Sequence, residues 1–327
     1  MLDNKTIYKR TLVFSVRRLL WDIFALIIMG ALMGGGYLLA EKLRDKGLIG
    51  LAAGGVIGLI VLILLLRFVS YRYKAGQIAM MTRGITEDSL PDDVLGEGKR
   101  EVKERFATVA AFFALTGIIK GIFSQIGSAI TKAGEAIGGD AGGTVGSAVS
   151  TVIQTVVRYL CDCCLGWVFF RKGVSAVKAT CEGAVLFFKH GKTFAKNMGR
   201  VFGIGLATLI PIGGVFGGAA YLVMNRFPQA FAELSAEIGR AIESGKDIPQ
   251  FLTDPKTLML VSAAIVGLIF WSMIHSIFIR PFVLVGVLRN YLESGIHDIP
   301  TEDSFSMLDS RSPKFRKLRE KEGLGMS

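Results

Sequence analysis

Apolar residues gather along this chain in long runs, roughly Leu19–Ala40, Leu48–Leu66, Phe106–Ile130, Val145–Phe170, Val201–Met224 and Leu258–Ile279. A water-facing helix interleaves apolar and polar positions every three or four residues, whereas most of these runs carry almost no charge. A bilayer core of about 30 Å takes ~20 apolar residues per helical crossing, which is close to the length of the runs. The pattern predicts an all-α, polytopic integral membrane protein with about six transmembrane helices in three hairpins. The first run exceeds the ~7–15-residue apolar core of a signal peptide, and no small-residue cleavage site follows it, so it reads as a retained helix.

The polar stretches fit between these helices. A charged turn, Glu41–Gly47, joins the first pair of runs, and DSLPDD around Pro91 marks a turn inside the polar segment 67–105. A glycine-rich link, Gly138–Gly146, joins the third and fourth runs, and the last run continues through Pro281 to Tyr291. The expected organisation is one helical membrane domain over residues 1–327, its membrane part roughly 19–291, with a basic cytoplasmic tail over 292–327. Runs 106–130 and 145–170 are amphipathic. Lying flat on the cytoplasmic surface they would leave four crossings with the same terminal orientation; six is the reading adopted.

Composition agrees with this picture but is less decisive: 51% of residues are hydrophobic, 20% are charged, and the mean hydropathy is +0.49. The net charge of +11 raises the question of nucleic acid. Most of the 38 Lys and Arg residues, however, fall in alternate segments: before the first run, in 67–105, in 171–200 and from 280 onward. Alternate basic loops are what positive-inside sorting produces, with both termini cytoplasmic in the cell membrane. A nucleic-acid partner is not needed to explain them.

Forty glycines against eight prolines suit close helix packing in a bilayer. Gly30/Gly34, Gly50/Gly54/Gly58 and Gly213/Gly217 follow the small-xxx-small spacing, read first as internal packing and second as a seam for a homo-oligomer. Cys161, Cys163 and Cys164 do not have zinc-site spacing and read as small packing residues.

Two stripes carry the polar chemistry. Thr116, Lys120, Ser124 and Ser128 recur every four residues, and Ser147, Thr151, Gln154, Thr155, Arg158 and Asp162 form a second face. Arg158 and Asp162, four apart, can meet on the helix surface. Counted from the cytoplasmic ends at ~1.5 Å per residue, Lys120 and Arg158 fall about 18–21 Å deep and Asp162 about 12 Å. Charges at such depth usually face protein or water. The stripes therefore admit three readings: a hydrated path for a small-molecule substrate, a helix–helix or oligomer seam, or an interfacial hairpin.

Other singled-out residues have ordinary explanations. His275 near Trp271 reads as a packed group, and Trp21, Trp167 and Trp271 as an aromatic belt. His190 and His297 have no partner at metal-ligand spacing. No nucleophile–base arrangement, phosphate loop or carboxylate pair appears, so the expectation is a non-enzyme without metal or cofactor. Arg311, Lys314, Arg316, Lys317, Arg319 and Lys321 read as a solvated basic end that reinforces topology.

The stretch SIFIRPFVLVGVLRNYLE (276–293) followed by IPTEDSFSMLDSRSPKFRKL (299–318) resembles the carboxy-terminal part of the choline transporter-like family, with KATCEGAVLFF (178–188) a looser echo. That family ends similarly, in a membrane helix, an acidic leucine-containing segment and a short basic tail. This chain lacks the family's long domain after the first helix, having only Glu41–Gly47 there. The resemblance implies a transporter for choline or a related headgroup amine. A lining of Lys120, Arg158 and Asp162 would suit an anion or zwitterion better than a bare quaternary ammonium. The functional expectation is movement of a small polar solute or lipid-headgroup compound, against the alternative of a membrane scaffold or partner subunit that transports nothing.

Overall fold

The computed structural model describes residues 2–44, 47–106, 114–122, 142–309, 312–321 and 323. Among these residues the ordered structure is helical: α1 (Asn4–Arg44), α2 (Gly47–Thr86), α3 (Val94–Arg105), α4 (114–122), α5 (Gly142–Phe170), α6 (Ala176–Met224), α7 (Pro228–Glu243), α8 (Pro255–Ile274), α9 (Arg280–His297), α10 (Ser306–Asp309) and α11 (Pro313–Lys321). Three helical segments are long and apolar enough to cross a bilayer: Asn4–Ala40, Gly203–Met224 and Pro255–His297. The apolar stretch Ala53–Leu65 of α2 is a shorter one.

The chain divides into two compact units, Met1–Met198 with Pro281–Ser327, and Gly199–Arg280. In the first, α1 and α2 form an antiparallel hairpin whose helices touch where glycine removes the side chain. A Cβ on Gly50 would strike the Gly36 carbonyl oxygen, and one on Gly54 the Leu32 carbonyl oxygen. Further along, the Trp21 indole donates to the Tyr73 hydroxyl at 3.1 Å. The Gln77 amide then donates to the Thr11 carbonyl at 3.2 Å and the Ser15 hydroxyl at 3.1 Å.

Burial changes abruptly along this hairpin. Ile7, Thr11, Phe14 and Ser15 of α1 are buried at the spacing of one helix face, whereas Leu20, Ile23, Phe24, Ile27, Leu38 and Leu39 stand exposed. In α2 the order is reversed, from exposed Val56–Leu64 to buried Ala75 and Ile78–Met81. One half of each helix lies in a protein core and the other half presents bare apolar surface.

That core is built from distant parts of the chain. Tyr159, Cys163, Cys164, Trp167 and Phe169 of α5 are buried with Cys181 and Leu186 of α6 and with Leu284, Leu288 and Tyr291 of α9. Gly166 lets α5 approach Leu288 and Thr82, and Gly295 leaves room for the Trp167 ring. The Tyr291 hydroxyl donates to the Gly183 carbonyl. Of the basic end, Lys314, Arg316 and Lys317 are exposed, while the apolar residues that accompany them, Phe305, Leu308 and Phe315, are fully buried. The rings of Phe305 and Phe315 meet edge to face at 6.1 Å, Asp309 pairs with Arg319 at 2.7 Å, and the Lys314 chain packs beside Gly121.

In the second unit, Gly213 and Gly217 of α6 pack against Gly267 and Ala263 of α8. Asp254 caps α8 by accepting from the Thr257 amide at 2.8 Å, with Pro255 in the first helical position. Between α8 and α9, His275–Ile279 form one π-helical turn in which the Arg280 N–H reaches the His275 carbonyl. Pro281 follows it, and a proline has no N–H to return and crowds the carbonyl four residues back, so a locally widened turn relieves the helix.

Candidate functional site

Of the stripe residues, Thr116 is half-buried and Lys120 exposed on α4, and on α5 Arg158 is exposed while Asp162 is buried. Ser124 and Ser128 lie outside the described residues, as do the side chains of Ser147, Thr151 and Gln154. The charge seated against Asp162 comes from a residue the sequence did not single out. Lys74 Nζ of α2 lies 2.5 Å from Asp162 Oδ1, the lysine being 37% exposed and the carboxylate 4%.

The level of this pair along α2 follows from its neighbours. Lys74 comes nine residues after Leu65, about 13 Å further along a continuous helix at ~1.5 Å per residue. Gly76, half a turn beyond, packs against Gly98 of α3. That helix, VLGEGKREVKER, is strongly charged, with Asp93 capping its first turn at Gly96 (2.8 Å) and Lys103 and Arg105 in its last turn. The Lys74–Asp162 pair therefore lies two residues before the glycine of α2 on which this charged helix packs.

A second cluster joins α5 to α6. The Arg171 guanidinium holds Glu182 on both oxygens, Nε to Oε2 at 2.8 Å and Nη2 to Oε1 at 3.0 Å, and the Trp167 indole donates to Oε2 at 3.0 Å. Glu182 is 1% exposed, so three charge-assisted hydrogen bonds offset the loss of its hydration. The hydrogen bonds to Glu182 hold the Arg171 guanidinium above its ordinary value. Beside it, Arg105 donates to the carbonyls of Val174 (2.9 Å) and Arg171 (3.1 Å) just past the end of α5, where helix carbonyls are left over. Lys172 reaches the buried Glu101 at 3.0 Å, tying the same corner to α3.

Sequence reasoning missed Lys74, Glu101, Arg171 and Glu182 because each reads as one more charge in a basic or mixed loop. Trp167, expected in a membrane belt, has its ring wholly inside protein and its N–H on a carboxylate. Among the described residues no disulfide joins the cysteines, and Cys163, Cys164 and Cys181 are buried. Among the described residues no group of three or more His, Cys, Asp or Glu is arranged to hold a metal ion.

The second unit has a separate polar group. The Trp271 indole donates to the Thr208 hydroxyl at 3.4 Å, the His275 and Trp271 rings lie 5.2 Å apart, and Gly205 leaves space beside His275 Nε2.

No known protein family, no curated protein and no solved structure matches this chain.

Proposed function

We propose that the protein is a membrane-anchored helical scaffold or partner subunit. Its apolar segments on α1, α2, α6 and α8 are four crossings of the cell membrane, and the packed core of the first unit is a body standing at the cytoplasmic face with both termini. The observation that carries this reading is the Lys74–Asp162 pair. A buried carboxylate bonded to a neighbouring helix, two residues before the Gly76–Gly98 contact, suits a packing role better than a solute path. Four crossings replace six because the second half of α5 is sheathed by protein and bonded to Glu182 and Thr82 through Trp167 and Gly166. Alternate basic segments support cytoplasmic termini.

A second reading, movement of a small polar solute or lipid-headgroup compound, is favoured by the Thr208–Trp271–His275 group beside a π-helical turn, since such turns recur at functional positions.

The position of Glu135 separates the topologies. Under four crossings, a cysteine replacing Glu135 stays unreactive to an impermeant thiol reagent added outside, while one replacing Lys246 reacts, each measured against the parent chain. Labelling of both from outside restores six crossings. The scaffold reading further expects reconstituted vesicles to take up choline or phosphocholine no faster than empty ones. Saturable uptake that Lys120→Gln or His275→Ala abolishes would replace it with transport.

A further inference from the structure

The apolar surface of the second unit does not stop where α6 ends. Leu222 and Val223 are exposed at the end of α6, and Phe227 (61% exposed), Leu234 (48%) and Phe251 (58%) continue the exposure before α8 starts at Pro255. Advancing 100° per residue, Phe227, Ala230, Phe231, Leu234, Ile238, Ala241 and Ile242 share one face of α7, and Glu233, Glu237, Arg240 and Glu243 lie on the other. One edge of the apolar face is used within the unit: α7 packs on the start of α8, where Ser235, Leu258 and Met259 are buried. The opposite edge, Phe227 to Leu234, is bare. The charged face is turned to water, its Arg240 and Glu237 pairing 3.1 Å apart with both side chains more than half exposed.

We propose that α7 lies in the membrane plane, its Phe227–Leu234 edge set into the headgroup–acyl boundary of the leaflet at which α6 ends and α8 begins. This rests on the reading of α6 and α8 as crossings. The helix has the two-faced build of an interfacial helix but not the usual basic polar face, having three acids against one base. Its partner is therefore a zwitterionic lipid surface reached through apolar contact, without attraction to anionic headgroups. Weak intrinsic affinity suffices, because both ends are tethered to crossings and the helix is held at high local lipid concentration.

Nitroxide labels in the full chain, reconstituted in phosphatidylcholine vesicles, test the placement. A label at Leu234 is expected to be open to oxygen and shielded from an aqueous nickel relaxant, at a depth of roughly 5–10 Å. A label at Glu233 is expected to be open to the relaxant. A label at Ile210, 77% exposed on α6, reports the crossing itself. Relaxant reaching Leu234 but not Ile210 overturns the proposal and leaves the crossings standing. Shielding of Leu234 from both oxygen and relaxant means protein covers it, a second copy included, and equally overturns the proposal. Relaxant reaching Ile210 overturns the membrane reading on which it rests. Replacing half the lipid with phosphatidylserine is expected to leave the Leu234 depth unchanged or shallower; a deeper position would refute the zwitterionic preference.

Discussion

Arg171 closes on Glu182 with both arms of its fork, at 2.8 and 3.0 Å, where the carboxylate is almost wholly enclosed and the guanidinium is a quarter exposed. The two partners are thus unequal. Arg171→Ala leaves a buried carboxylate with the Trp167 indole as its remaining donor, and is expected to destabilise by about 3–5 kcal/mol. Glu182→Ala frees an arginine that can turn to water, and is expected to lose about 1–3 kcal/mol. Replacing both by methionine should recover most of the loss. Chemical unfolding of the purified protein in detergent, followed by near-UV dichroism, gives the order; equal losses in the two single variants would contradict it.

The same asymmetry applies to Lys74 and Asp162, on a smaller scale because the lysine is more than a third exposed and partly screened. Lys74→Gln is expected to cost about 1–3 kcal/mol and Asp162→Asn less. Arg158→Gln is expected to cost less than Lys74→Gln, because the arginine is exposed and water screens its interactions. If Arg158→Gln instead matched Lys74→Gln, the pairing four residues apart on α5 would be the one that matters.

Glycine positions should separate cleanly by what lies opposite them. Gly50→Val drives a side chain into the Gly36 carbonyl and Ala40, and is expected to cost about 1–3 kcal/mol or to block folding. Gly34→Val meets nothing within 4 Å and should be tolerated. Folded yield by size-exclusion chromatography distinguishes them, and a failure of Gly34→Val would point to a neighbour outside this chain.

Asp298 accepts from Lys189 at 3.0 and 3.1 Å, and that hydrogen bond holds its carboxyl below the usual 3.8, with the charges of Lys189 and His190 acting in the same direction. A folded-state value below the unfolded one means the pair stabilises above the unfolded value and is lost as pH falls through the folded one. The melting-temperature gap between parent and Asp298→Asn is therefore expected to be full above the ordinary 3.8 and to shrink as the pH is taken below it. A gap that widens on acidification would show the opposite sign.

Apolar run length made the exposed apolar segments of α1, α2, α6 and α8 legible, and glycine spacing foretold the close approach at Gly50, Gly54 and Gly213, whereas the same spacing at Gly30 and Gly34 meets open space. Run length measures only bilayer thickness, however, so it said nothing of how far each helix continues into water. α1 begins at Asn4 and α2 runs to Thr86 because Ile7, Phe14, Ile78 and Met81 find protein partners there. A short-range rule that looks four residues along a helix from Asp162 has no means of finding Lys74, which lies 88 positions away on α2. The packing of Phe305, Leu308 and Phe315 is hidden for the same reason: they are sparse in a charged stretch whose Lys314, Arg316 and Lys317 are exposed, and nothing local announces the surface they cover.

The first unit draws on both ends of the chain, with residues 199–280 inserted between its two stretches. Synthesis delivers Ile7 and Phe14 long before Leu288, Tyr291 and Phe315 leave the ribosome. The apolar helices α6 and α8 are then made while the half-made core waits with its aromatic faces uncovered. Closure waits for the second stretch, because it is made of contacts between residues far apart in order of synthesis, and such long-range closure is slow. A cell making this protein has to shield the incomplete body during that interval, and crowding of its nascent chains is where its production should fail first.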